Sequence, residues 1–163
     1  MKSIVRSGAW WLSTLTLILF ATLLDGRPAQ AQTVVTGNIT QDTTWTKANS
    51  PYIVGQSYIN AGVTLTIEPG VEVKFTSGGW LSTVNGSVST LIAQGTEEEP
   101  IRFTSAAAEP KPGDWNALYA YSGAVVNLGH CVVEYAGGAS AIEVSSSNVT
   151  VRDCTIRDNS GHG

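Results

Sequence analysis

Four short stretches, residues 71–75, 101–105, 131–135 and 154–158, each begin apolar, polar, apolar, and their starts lie 30, 30 and 23 residues apart. Strict alternation over a few residues marks a half-buried β-strand. Its return at a near-constant interval means that the chain comes back to one wall of a solenoid once per coil. Aligned on this pattern, Val71, Ile101, Cys131 and Cys154 form one inward column, and Val73, Phe103, Val133 and Ile156 form the next. The outward columns between them read Glu72, Arg102, Val132, Thr155 and Lys74, Thr104, Glu134, Arg157. Stacked strands lie about 4.8 Å apart, so like charges in one column would repel and unlike charges would attract. Glu72 is expected to face Arg102, and Glu134 to face Arg157, with no like pair adjacent.

The same alternation predicts further strands. Val63, Leu65 and Ile67 alternate with Thr64 and Thr66, and Glu68-Pro69-Gly70 then turns the chain. Pro69 has no N–H to give a ladder and so suits a corner, a device that recurs as Glu99-Pro100. Other strands are expected at 81–84, 88–93, 115–121, 125–128, 142–144 and 149–151. In the last two coils, Val126, Leu128, Cys131, Val133 and Gly138 fall on Val149, Val151, Cys154, Ile156 and Gly161 at a constant offset of 23. The earlier coils are longer by seven, and the surplus is visible as a Pro-rich loop at 106–114 and a small acidic one at 96–99. Loops projecting from a solenoid are where binding sites are expected. Residues 33–58 read as irregular, with Trp45 and Tyr52 as large side chains and Pro51 as a breaker. Such a stretch suits a cap over the first coil's unpaired edge. No segment past the N-terminal run has a helical apolar period, which argues against a doubly wound sheet.

The N-terminus changes the picture of where the chain works. Lys2 and Arg6 precede an apolar run of 16 residues, and Ala29-Gln30-Ala31 supplies a small-x-small cleavage pattern. The run falls short of the roughly 20 residues that span a bilayer. Residues 1–31 are therefore expected to be a signal peptide cleaved after Ala31, followed by a cap and first irregular coil at 32–62 and regular coils at 63–163. The protein is expected to be secreted or held at the cell surface, with no membrane insertion after cleavage. The full chain carries 9 basic and 13 acidic residues, and loss of Lys2, Arg6, Arg27 and Asp25 leaves 6 and 12, a net charge of −6. An acidic chain without a basic cluster argues against nucleic acid as a partner.

Candidate chemistry is sparse. Cys131 and Cys154 share a column, which favours two buried thiols over a bridge of poor dihedral angle. With no further Cys and no paired His, no metal site and no cofactor are expected. Glu134, Asp153, Asp158, Arg152 and Arg157 crowd the last two coils, where a solvated face with a cross-coil ion pair accounts for them. His130 stands alone at a corner. No constellation reads as catalytic. Trp80, Trp115, Tyr119 and Tyr121 could stack on sugar faces, with Asp114 in the adjoining loop as a polar contact, although alternation buries part of the 115–121 stretch in the core.

Several phrases resemble a known family. Thr64 to Phe75 (TLTIEPGVEVKF), Gly95 to Ser105 (GTEEEPIRFTS), Pro112 to Ala124 (PGDWNALYAYSGA), HCVVEYAGG and VTVRDCTIRDNSG are similar to right-handed parallel β-helix repeat proteins of the pectate-lyase-like superfamily. They resemble especially its bacterial secreted and surface members. The resemblance implies an all-β fold, a right-handed coil with three sheets, and either a surface or adhesive role or action on polysaccharides. It also implies further coils, whereas this chain stops at Gly161-His162-Gly163. The chain is accordingly expected to be an N-terminal fragment that self-associates through its uncapped last coil when expressed alone. The function expected is that of an exported, non-enzymatic β-helix module for surface structure, adhesion or contact with a polysaccharide or cell-surface glycan. The alternative is the N-terminal part of a polysaccharide lyase or hydrolase whose catalytic coils lie beyond residue 163. Mass spectrometry of the exported protein should find Gln32 at the mature N-terminus, and an intact Met1 would contradict the signal peptide.

Overall fold

The computed structural model describes residues 32–162, so the expected signal peptide lies outside the described residues. These residues contain β1 (Thr33–Val35), β2 (Thr43–Trp45), β3 (Tyr52–Ile59), β4 (Thr64–Ile67), β5 (Glu72–Thr83), β6 (Thr90–Gln94) and β7 (Ile101–Ser105). They continue through β8 (Leu118–Ala120), β9 (Val125–Gly129), β10 (Cys131–Glu134), β11 (Ile142–Val144), β12 (Asn148–Arg152) and β13 (Thr155–Arg157). A single short 3-10 turn, Lys47–Asn49, interrupts them. Among the described residues no helix is long and apolar enough to cross a membrane.

The strands pair in parallel, each with its counterpart one coil away, which makes the molecule a parallel β-helix. One ladder runs β1-β3-β5-β7-β10-β13, and a second runs β2-β4-β6-β9-β12. A third wall arises because β3 and β5 continue past a bend: Gln56 to Ile59 of β3 pair with Trp80 to Thr83 of β5, which carries β8 and then β11. Gly78 makes the bend in β5, with a left-handed φ of 69°. At Gly79 a Cβ would lie 2.8 Å from the Gly55 carbonyl oxygen, so the coils close on each other there only over glycine.

Register follows the alternation. Val73 pairs with Phe103, Cys131 with Ile101, Val133 with Phe103 and Ile156, and Val149 with Val126. Val71, Val73, Ile101, Phe103, Cys131 and Val133 are buried, while Ile156 in the last strand and Cys154 just before it are partly covered. Residues 32–62 are more regular than their text suggests. Tyr52 and Val54 face inward, then Ser57 and Ile59 do, with a register shift between Val54 and Gln56 that breaks the alternation. Trp45 stacks on Tyr52 with ring centroids 4.7 Å apart and closes this end of the core.

The expected charge pairing changes in one respect. Glu134 does meet Arg157, with Nη2 2.6 Å from Oε2, but Arg102 turns away from Glu72 and donates to Glu134 Oε1 at 2.7 Å. Glu72 lies instead 3.2 Å from Lys74 on its own strand. The reason is burial: the Glu134 side chain is 5% exposed, against 36% for Glu72, so attraction to it is screened less by water. Thr104 Oγ1 also donates to Glu134 Oε1, at 3.1 Å. Diagonal reach across adjacent strands makes the Arg102 contact feasible.

Both cysteines are thiols. The Cys131 N–H donates to Cys154 Sγ at 3.3 Å. Burial first, and then the neighbouring Cys154, push the Cys131 thiol well above its ordinary value, so it behaves as a packed apolar group. Glu134 is the more consequential polar residue. Glu134→Ala should destabilise the fold by about 2–3 kcal/mol, the cost of removing the covered carboxylate that pairs with two arginines. Lys74→Ala, at a half-exposed pair, should change stability by less than about 1 kcal/mol. Denaturant midpoints of the two variants check the contrast.

Candidate functional site

The third wall carries the most distinctive surface. Its outward column runs Tyr58, Ser82, Tyr119, Glu143, set by the pairing of β3, β5, β8 and β11. Trp80 stands two residues before Ser82, and alternation with the buried Leu81 turns both outward. Tyr58 packs against Trp80 edge to face at 4.6 Å, Trp80 against Tyr119 at 6.4 Å, and Tyr119 lies parallel to Tyr121 at 5.8 Å. Four aromatic rings thus form a continuous row across three coils.

The row encloses an open groove of about 220 Å³, lined by Tyr58, Trp80, Ser82, Asn116, Tyr119 and Tyr121. Ser82 shapes it. As the small member of a column between two tyrosines, it is 2% exposed and leaves room for the rings to lean over it. Its hydroxyl donates to the Thr83 carbonyl at 2.9 Å. Thr83 in turn fixes the aromatic strand from inside: the Tyr121 N–H donates to Thr83 Oγ1 at 2.8 Å. Burial, then the Glu143 carboxylate, then Tyr121 raise the Tyr119 phenol above its ordinary value, so it stays neutral and able to donate. Tyr58 is 38% exposed and Trp80, Tyr119 and Tyr121 are half-buried, so the row is accessible.

Three of the four aromatic residues expected from sequence come together here. Trp115 does not. It is 0% exposed, stacks on Phe75 at 4.2 Å and donates Nε1–H to the Glu134 carbonyl at 2.9 Å. Its burial satisfies both the ring and the N–H, which makes it a core residue. Asp114 lies outside the groove. It borders a neighbouring hollow with Thr76, Ser77 and Ser105, where Ser105 Oγ donates to Oδ2 at 2.6 Å and the Lys111 N–H donates to the same oxygen at 3.0 Å. Asp114 therefore pins the 106–114 loop to β7. Sequence reasoning missed Tyr58, Asn116 and Glu143. Only the Ser57-Tyr58-Ile59 alternation pointed to Tyr58, and it is masked by the slip at Gly55.

Three polar residues of the last coils sit at corners with left-handed backbone. His130 and Asp153 occupy equivalent corners with φ of 46° and 52°, and Asp158 has φ of 54°. Polar residues with short side chains tolerate that conformation best. Among the described residues no three His, Cys, Asp or Glu side chains gather as a metal site.

Residues 37–162 match the family described as "Pectate-lyase like beta helix domain". The chain belongs to this family. No curated protein and no solved structure shows significant similarity to it. Membership in the pectate-lyase-like β-helix family accounts for the stacked coils, and the aromatic row is what this chain displays on them.

The loop clamp makes a pH-dependent outcome. Ser105 and then the Lys111 N–H hold the Asp114 carboxyl below its ordinary value of 3.8. A depressed folded pKa means that the stabilisation is present above the unfolded value and is lost as pH falls through the folded one. Amide exchange at Lys111, corrected for intrinsic rate, should therefore accelerate as the pH drops below the ordinary aspartate range. Asp114→Ala should show faster exchange at neutral pH and no such acid step.

Proposed function

We propose that this chain is an exported, non-enzymatic β-helix module that holds a polysaccharide or cell-surface glycan against its third wall. The observation that carries the reading is the accessible row Tyr58, Trp80, Tyr119 and Tyr121, with polar Asn116 beside it. Aromatic rings offer apolar faces to the C–H faces of pyranose rings, while phenol and amide groups meet the hydroxyls. The groove is open rather than closed around one small molecule, which suits an extended chain. Family membership supports the scaffold and leaves the activity to the surface residues.

The signal-like N-terminus supports a place outside the cell. On this reading the protein binds a glycan without cleaving it. Calorimetric titration of the mature chain with a glycan panel should give saturable binding, and no shortened product should appear after prolonged incubation. Trp80→Ala should weaken binding about tenfold, equivalent to about 1.4 kcal/mol, in a chain that keeps the far-ultraviolet circular dichroism of the folded protein. Equal affinity in the variant would remove the row from the function, and accumulation of cleaved product would favour an enzyme.

A further inference from the structure

The charge around the row restricts what it accepts. We infer that the groove takes a neutral glycan laid along the solenoid axis and discriminates against polyuronates, an inference that rests on the row being a glycan platform. None of the six lining residues is basic, and the one ionisable acid in the same column is Glu143, the register partner of Tyr119. Its carboxylate is close enough to raise the Tyr119 phenol. No Lys or Arg forms an ion pair with Glu143 among the described residues, so its charge is not cancelled by a neighbour.

A polyuronate carries one carboxylate per sugar. To lie across the row it would bring several anions past Glu143 into a groove lined by rings, an amide and a hydroxyl. Recognition of such a chain ordinarily needs arginine or lysine forks or a bridging cation. The groove lining supplies neither fork, and the described residues hold no cation-binding cluster. A neutral chain meets no such repulsion. Its hydroxyls can accept from the protonated Tyr119 and from the Asn116 amide, both in the groove lining.

Direction along the axis follows from the spacing. The row advances from the β3 coil through β5 to β8, and each coil rises about 4.8 Å, close to the length of one pyranose residue in an extended chain. An extended glycan can thus present successive rings to successive coils. Trp80 and Tyr119 are inclined at 77°, while Tyr119 and Tyr121 are near parallel at 5°. A ribbon-like chain whose sugar faces turn from one residue to the next fits such changes of orientation better than a flat stack.

The test compares uncharged and charged hexamers of similar length. Cellohexaose, xylohexaose and mannohexaose are titrated against hexagalacturonate in low salt and again near 0.5 M salt, where the Debye length falls to about 4 Å. At least one neutral hexamer should bind about tenfold or more tightly than hexagalacturonate in low salt, with the gap narrowing in high salt. Glu143→Gln should strengthen hexagalacturonate binding about two- to fivefold, the range of one exposed charge interaction, and leave neutral binding within twofold. Preference for hexagalacturonate, or a preference ratio unmoved by Glu143→Gln, would overturn the charge inference while leaving the platform reading intact. Failure of every hexamer to bind would remove both.

Discussion

The parallel ladder between coils is the constraint on which everything else in this protein depends. Each interior strand hydrogen-bonds to the strand one coil before and one coil after, so its side chains stand about 4.8 Å from their counterparts. A residue's neighbours are then decided by register, not by proximity in sequence. Inward, the rule piles Val73, Phe103 and Val133 into a continuous core. Outward, it brings Tyr58, Ser82, Tyr119 and Glu143 into one line from four separate coils. Loops vary in length without disturbing either column, because a loop leaves the wall and returns to the same rung.

Charge and aromatic residues respond to that constraint differently. The Glu134 site is a column in which burial decides the partner: the covered carboxylate draws Arg102 across a diagonal and Arg157 from above, and the more exposed Glu72 is left with Lys74. The aromatic row is larger than its rungs. Indole and phenol rings cannot all lie flat at the coil spacing, so they meet edge to face where Tyr58, Trp80 and Tyr119 converge. Ser82 relieves the crowding by placing a small side chain on the middle rung.

The first wall was legible because its strands keep strict alternation and its inward residues are plainly apolar from Val71 to Ile156. The extra seven residues in the longer coils could also be located, since Pro110, Pro112 and Gly113 mark the loop. The third wall was legible only in part. In β3 the inward phase shifts between Val54 and Gln56, and β5 bends at Gly78 to serve two walls as one strand. Once phase is lost, neither Tyr58 nor the partner of Trp80 can be assigned from spacing. Trp115 was misplaced for a related reason. Its stretch was read as a strand from 115 to 121, whereas β8 is confined to Leu118–Ala120 and Trp115 enters the core at the corner before it.

That corner links the core to the groove. Trp115 is fixed from both sides, by Phe75 below and by the Glu134 carbonyl that receives its N–H. The next residue, Asn116, is tied by its own N–H to the Gly79 carbonyl at 2.7 Å, and it lines the groove beside Trp80. Gly79 is also where a side chain would collide with the coil beneath. The close glycine approach, the buried indole and the exposed indole are therefore parts of one arrangement. The core tryptophan sets the height at which the chain re-enters the wall after its longest loop, and that height places Asn116 and Tyr119 against Trp80. A platform assembled this way is held by buried contacts, which lowers the ordering cost when a ligand settles on it.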